Sequence, residues 1–334
     1  MEEHALEDID AAVAELQELE QERLLQCENV QGVGVGRKVR AGRETGEPCV
    51  TVFVSRKVPK DSLREADRIP STLRQCNTDV VELGPVFAGG VSEPTTNADA
   101  ALAATGAEGS RSEALGARTR PAFGGCSVGH YRVHVGSIAT GVIDRADYPG
   151  IPRSFYLLSN NHVLANSNQA SIGDPIVQPA PADGGRVATD TIGRLARFVP
   201  LHFDGQPNLV DAAIAEVPFE ALERYLPWIG HARESISRVR VGQILRKTGR
   251  TTGYTTGVVR AVNTTLDVRY GDGAIARFTH QIVTSKMSAP GDGGSLVVES
   301  HDRPVGLLFA GSCHATVLNP IGFVESALQI RIGV

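Results

Sequence analysis

The chain contains no run approaching the roughly 18 consecutive apolar residues that a membrane-spanning helix needs. Aromatic side chains are few, with one Trp, six Tyr and ten Phe among 334 residues. Cysteine is scarce as well. The five thiols (Cys27, Cys49, Cys76, Cys126 and Cys313) are odd in number and widely scattered, which excludes a disulfide framework and leaves free thiols as the expectation. A basic excess is missing too, since 33 Lys and Arg face 38 Asp and Glu for a net charge of -5. Ten of those acids lie in residues 1–28 against Arg23 alone, so the rest of the chain is weakly basic and spread out, which is no nucleic-acid footprint. The start of the chain is acidic where a secretory leader needs a basic and then an apolar region. The expected location is cytoplasmic.

What is abundant points to β structure. There are 36 glycines, and Val, Ile and Thr fall in short segments rather than long helical runs. The length favours two domains plus linking segments.

In the acidic segment 1–28, Leu6, Ile9, Val13 and Leu16 recur at steps of three and four, which predicts an amphipathic helix. Its apolar stripe either packs on its own domain or pairs between subunits, making a homo-oligomer. Residues 29–87 then offer three strand-like runs, Val30–Val39, Cys49–Val58 and Thr78–Leu83. A polar hairpin (Arg40–Pro48) and a charged stretch with helical potential (Asp61–Asp67) separate them. Together they predict a small α+β domain with a pro-segment or regulatory role. The glycines at 32, 34 and 36 imitate a dinucleotide loop, but strand and turn residues follow them where that fingerprint requires a helix. From residue 88 to 120 periodicity vanishes and 21 of 33 residues are Ala, Gly, Ser or Thr. This reads as a flexible linker of about 30 Å root-mean-square span, with Arg111, Arg118 and Arg120 making intramolecular cleavage plausible.

Short strands arrive at regular spacing after Pro121. The first group is Arg132–Ile143, Phe155–Leu158, Pro175–Gln178, Ile192–Phe198 and Ala212–Val217. The second is Gln243–Lys247, Thr255–Val262, Leu266–Tyr270, Ala276–Val283, Ser295–Glu299 and Val305–Ala310. The pattern predicts two packed antiparallel barrels, over about 121–220 and 240–320, with any active site in the cleft between them.

Three segments carry chemistry. Residues 156–164 read YLLSNNHVL, a strand ending at His162. Residues 209–215 read LVDAAIA, with Asp211 just ahead of an apolar strand. Residues 288–296 read SAPGDGGSL, a glycine-rich turn around Gly293. Singly each is commonplace. In this order, with steps of 49 and 82 residues, they resemble the His, Asp and Gly-Asp-Ser-Gly-Gly segments of chymotrypsin- and trypsin-like serine peptidases. The resemblance covers residues 121–334. It is similar above all to bacterial intracellular trypsin-like proteins carrying an N-terminal extension.

The resemblance implies a mainly β fold of two six-stranded barrels. It implies His162 as general base, Asp211 as its supporting acid, and main-chain N–H groups of Gly291 and Gly293 as an oxyanion hole. It also implies a substrate pocket involving Met287, Phe309 and Gly311, whose uncharged base favours a medium apolar residue such as Leu or Met over Lys or Arg. The substrate would be a peptide or protein, without cofactor or metal. Position 293 departs from the pattern, because the family has serine there. Loss of that hydroxyl costs on the order of a millionfold in turnover. The chain as written therefore reads as inactive, by an engineered trap or a natural loss. Ser295 begins a strand and points elsewhere. No Ile-Val-Gly-Gly is present to supply the freed N-terminus with which animal trypsins neutralise the aspartate corresponding to Asp292.

Two other classes remain open: a pseudopeptidase that binds a peptide or protein, and an adaptor centred on the N-terminal helix. Cys126, His130 and His134 are spaced by four, but no fourth ligand follows at zinc-motif spacing. Residues 249–257 (GRTTGYTTG) lack the lysine and helix of a phosphate loop.

Overall fold

The computed structural model describes residues 2–89, 114–236, 238–271 and 273–333, with side chains from residue 10 onward. Residues 90–113, most of the segment expected to be a linker, lie outside the described residues.

The N-terminal unit is built from helix α1 (Glu2–Leu25) and strands β1 (Val30–Arg40), β2 (Arg43–Val54), β3 (Thr72–Leu73), β4 (Cys76–Glu82) and β5 (Phe87–Ala88). Val13, Leu16 and Leu24 of α1 pack on Val33, Val35, Val50 and Val52, the inward residues of β1 and β2. The helix thus covers the sheet of its own chain. Residues 41 and 42 turn between β1 and β2 with φ of 50° and 76°, so the polar hairpin is shorter than the sequence suggested. The charged stretch forms two single 3-10 turns, Lys60–Ser62 and Glu65–Asp67.

The first large sheet has eight strands in the order β21-β8-β9-β12-β11-β10-β6-β7. These are β6 (Ser127–His130), β7 (Gly136–Ser137), β8 (Gly141–Asp144), β9 (Phe155–Ser159), β10 (Pro175–Val177), β11 (Thr191–Phe198), β12 (Ala213–Val217) and the C-terminal β21 (Ile330–Arg331). The single strand expected over Arg132–Ile143 is divided instead. The Val133 N–H donates to the His130 carbonyl in a turn (2.8 Å), and the chain re-enters the sheet at Gly136. A two-strand hairpin follows, β13 (Tyr225–Leu226) with β14 (Gly230–His231).

The second large sheet contains β15 (Ile244–Gly249), β16 (Gly253–Arg269), β17 (Ile275–Ser285), β18 (Leu296–Val298), β19 (Pro304–Gly311) and β20 (Ala315–Pro320). It closes on itself: β15 bonds to both β16 and β18, and the ring continues through β19, β20 and β17 back to β16. The two strands expected on either side of Asn263 are one 17-residue strand, β16, in which Asn263 (φ 50°) sits at a register shift. The fold is mainly β, as the sequence indicates.

The sheet of the N-terminal unit does not stand apart from this ring. β1 pairs antiparallel with β16, Val33 opposite Thr265 and Val35 opposite Val262. The glycines of β1 make that approach possible, since a Cβ at Gly34 would stand 2.4 Å from Thr264 Oγ1 and one at Gly32 would stand 2.8 Å from Leu266 Cβ. The GxGxG run is therefore a strand-packing device. All five cysteines are unpaired, and Cys27, Cys49 and Cys126 are buried.

Candidate active site

The register of one strand pair brings the first two residues together. β9 and β12 pair with Ser159 opposite Ala213, so the residues just beyond those ends, His162 and Asp211, converge at the same rim. His162 lies in the one-turn helix α2 (Asn161–Leu164), which starts where β9 stops. Its Nδ1 is 2.6 Å from Asp211 Oδ2, and its backbone N–H donates to Asp211 Oδ1 at 3.1 Å. Asp211 is completely buried. The Nδ1 contact makes that nitrogen the proton carrier and leaves the lone pair of the neutral ring on Nε2.

Buried carboxylates need partners, and Asp211 has several. The Tyr270 hydroxyl donates to its Oδ2 at 2.8 Å, and the ring of Tyr270 stands edge-on to the imidazole with centroids 6.2 Å apart. The Asp211 N–H donates to Asn319 Oδ1 (2.9 Å), while Asn160 Nδ2 donates to the Asp211 carbonyl (2.8 Å). Burial and the neighbouring Asp211 charge push the Tyr270 phenol well above its ordinary range, which keeps it a donor.

The turn 291–294 is clamped from both sheets. Ser137 of β7 donates its N–H to the Gly293 carbonyl (2.7 Å) and its hydroxyl to the Gly291 carbonyl (2.9 Å). Gly291 has φ of 97°, a conformation that favours glycine, and a Cβ there would lie 2.4 Å from Thr251 Oγ1. Among the described residues, neither the Gly291 nor the Gly293 N–H meets a backbone acceptor. Gly293 differs from Gly291 and Gly294 because its backbone has no left-handed φ and can carry a side chain. A Cβ at 293 would lie 3.0 Å from His162 Nε2 and 3.3 Å from Asn160 Oδ1. Both of those atoms are buried and, among the described residues, have no hydrogen-bond partner.

Asp292 is held by a cradle that the sequence did not disclose. Its Oδ1 accepts from the N–H groups of Thr251 (2.9 Å) and Thr252 (3.1 Å). Its Oδ2 accepts from the Thr252 hydroxyl (2.6 Å), the Ala289 N–H (2.9 Å) and Lys247 Nζ (3.2 Å). Burial pulls the Lys247 ammonium below its ordinary pKa, and the Asp292 charge opposes that pull. No freed chain terminus is needed to neutralise Asp292.

The other residues singled out by sequence have the following surroundings. Phe309 reaches the rim through its carbonyl, while its ring packs on Phe278 with centroids 4.6 Å apart. Met287 is enclosed with Leu245, Val259 and Leu308. Gly311 is partly exposed, and a Cβ there would lie 3.3 Å from Ser288 Oγ. Ser295 donates its hydroxyl to the Asp292 carbonyl (2.7 Å), so it is committed away from His162. His130 pairs with Asp174 at 3.1 Å, and Cys126 is buried in the first sheet's core.

Residues 17–81 match the family described as the NARROW LEAF 1 N-terminal domain. No curated protein matches the chain. Among solved structures, Protease A of Thermobifida fusca is 17% identical over 64% of this chain and 100% of its own, with a TM-score of 0.45. The Nocardiopsis protease NAPase is also 17% identical, over 64% of this chain and 100% of its own, with a TM-score of 0.46. The chymotrypsin of Cellulomonas bogoriensis is 18% identical over 63% of this chain and 97% of its own, with a TM-score of 0.42.

Proposed function

We propose that the chain is the scaffold of a serine endopeptidase whose nucleophile position is residue 293, and that it is silent in peptide hydrolysis while glycine stands there. The observation that carries this reading is a pair of buried atoms, His162 Nε2 and Asn160 Oδ1, that have no partner among the described residues and face the place where a side chain at 293 would begin. Buried polar groups without partners are rare in folded proteins. A hydroxymethyl group at 293 would give both of them one.

In the mechanism this geometry supports, a serine at 293 attacks a peptide carbonyl while His162 Nε2 accepts its proton and later passes it to the leaving amine. Asp211 holds the ring with Nδ1 protonated and stabilises the imidazolium. The N–H groups of Gly291 and Gly293 face the developing oxyanion. Removing only a side chain at 293 leaves all of these in place. A second reading, a cleft that binds a peptide without cutting it, is favoured by the glycine itself.

The deciding experiment installs Gly293→Ser and follows hydrolysis of casein and labelling by a fluorophosphonate. The expected result is a gain in turnover on the order of a millionfold over the Gly293 chain, with Gly293→Ala remaining silent. A folded Gly293→Ser protein that neither hydrolyses nor labels overturns the peptidase reading and favours the binding one.

A further inference from the structure

The short strand β5 leads the main chain into the cleft. Its Phe87 pairs with Gly311 and its Ala88 with Ala310 of β19, antiparallel, while on its other side it runs parallel to the end of β16 at Arg269. The Gly89 N–H then donates to the Phe309 carbonyl (3.3 Å), and the Arg269 N–H donates to the Val86 carbonyl (2.9 Å). Val86 and Ala88 are buried in the cluster that holds Tyr270 and Phe309. The path ends at the imidazole: a Cβ at Gly89 would lie 3.3 Å from His162 Cδ2 and 3.4 Å from Nε2.

An extended peptide recognises a sheet by adding a strand to its edge. A peptide to be cut at residue 293 must run along the rim beside His162, which here is the edge of β19. β5 already occupies it. We propose that residues 86–89 are the resident occupant of the substrate strand, so that the N-terminal unit holds the acyl side of the cleft closed to other peptides until this segment leaves. The identity of the cleft rests on the peptidase reading; the contact of Gly89 with His162 does not.

Two features mark this segment as a plug rather than a good substrate. Gly89 has φ of 64°, a left-handed turn away from the extended backbone of a strand-bound peptide, so its chain bends at the imidazole instead of running past it. It also presents no side chain to fill a specificity pocket.

The test removes the plug's last anchor. In Gly89→Pro the N–H given to Phe309 is lost, and the ring fixes φ near −65°, incompatible with the observed turn, while Ala88 keeps an extended conformation that precedes proline well. In a Gly293→Ser background, fluorophosphonate labelling is expected to be at least about tenfold faster in the Gly89→Pro variant than with Gly89 intact, the order by which a strand held closed nine-tenths of the time masks a site. Equal labelling rates overturn the plug and leave the peptidase reading standing. If neither protein labels, or if Gly89→Pro does not fold, amide hydrogen exchange of the unmodified Gly293 chain decides. Exchange at Ala88 and Gly89 as slow as that of β19 upholds the occupant, and exchange at free-peptide rates overturns it.

Discussion

Lys247 Nζ and the Asp292 carboxylate lie 3.2 Å apart with both side chains fully enclosed, directly behind the turn that carries residue 293. This pair sets the turn's conformation from within the same chain. Its members come from β15 and from the turn itself, so the turn is tied to the closed ring of the second sheet.

Removing one charge of such a pair strands the other in a low-dielectric site. Lys247→Met is expected to lower folding stability by about 3–5 kcal/mol, read as a drop in the urea midpoint. Lys247→Met combined with Asp292→Asn is expected to lose less than the sum of the two single losses, because no lone charge remains. A Lys247→Met protein as stable as the parent contradicts the role assigned to the pair.

Tyr270 stabilises the negative charge of Asp211 by hydrogen bonding. Tyr270→Phe in the Gly293→Ser background leaves that carboxylate with one donor fewer, so it holds the imidazolium more tightly. A loss of stability of about 1 kcal/mol is expected, read as a lower urea midpoint. An unchanged midpoint contradicts this role.

The junction between the N-terminal sheet and the ring depends on the absence of side chains in β1. Gly34→Ala places a Cβ against Thr264 and is expected to cost about 1–3 kcal/mol, measured by thermal or denaturant unfolding. Gly42→Ala is the informative contrast, because nothing lies within 4 Å of a Cβ there and only the positive φ is strained. Its cost is expected to be smaller.

Glu299 provides a pH handle away from the site. Burial would raise its pKa, but hydrogen bonds from His301 and Arg303 outweigh that and bring it down to about 2. Because the folded value lies below the ordinary one, the stabilisation is present at neutral pH. It fades as pH falls from the usual carboxylate range through about 2. Unfolding curves between pH 5 and pH 2 are expected to be shallower in pH for Glu299→Gln than for the parent.

The sequence disclosed the site where local pattern and spatial neighbourhood coincide. His162 and Asp211 lie just past the ends of two strands that pair, and the glycines of 291–294 announce a turn whatever surrounds them. The sequence does not single out Asn319 and Lys247, which lie in strands, or Tyr270, which lies one residue past the end of β16, because the neighbours of all three are set by tertiary packing. One signal was available: Lys247 has the same strand parity as Leu245, which is buried, and an inward lysine requires an enclosed counter-charge. The break at Val133 was hidden because Val133 and Val135 alternate with polar residues as a strand would. The sequence pattern divides β16 in two because Asn263 resembles a turn residue, whereas it occupies a bulge. The second set of strands expected from the sequence stops at Ala310 and does not include β20 or the helix that follows it, α3 (Ile321–Leu328).

The seam between β1 and β16 decides what a truncated protein would be like. A fragment beginning after residue 89 would keep the ring but bare the ladder of β16 from Ala261 to Leu266, a row of donors and acceptors with no mate. Such fragments would find one another. Trimming away the N-terminal unit would leave that bare ladder to drive edge-to-edge assembly.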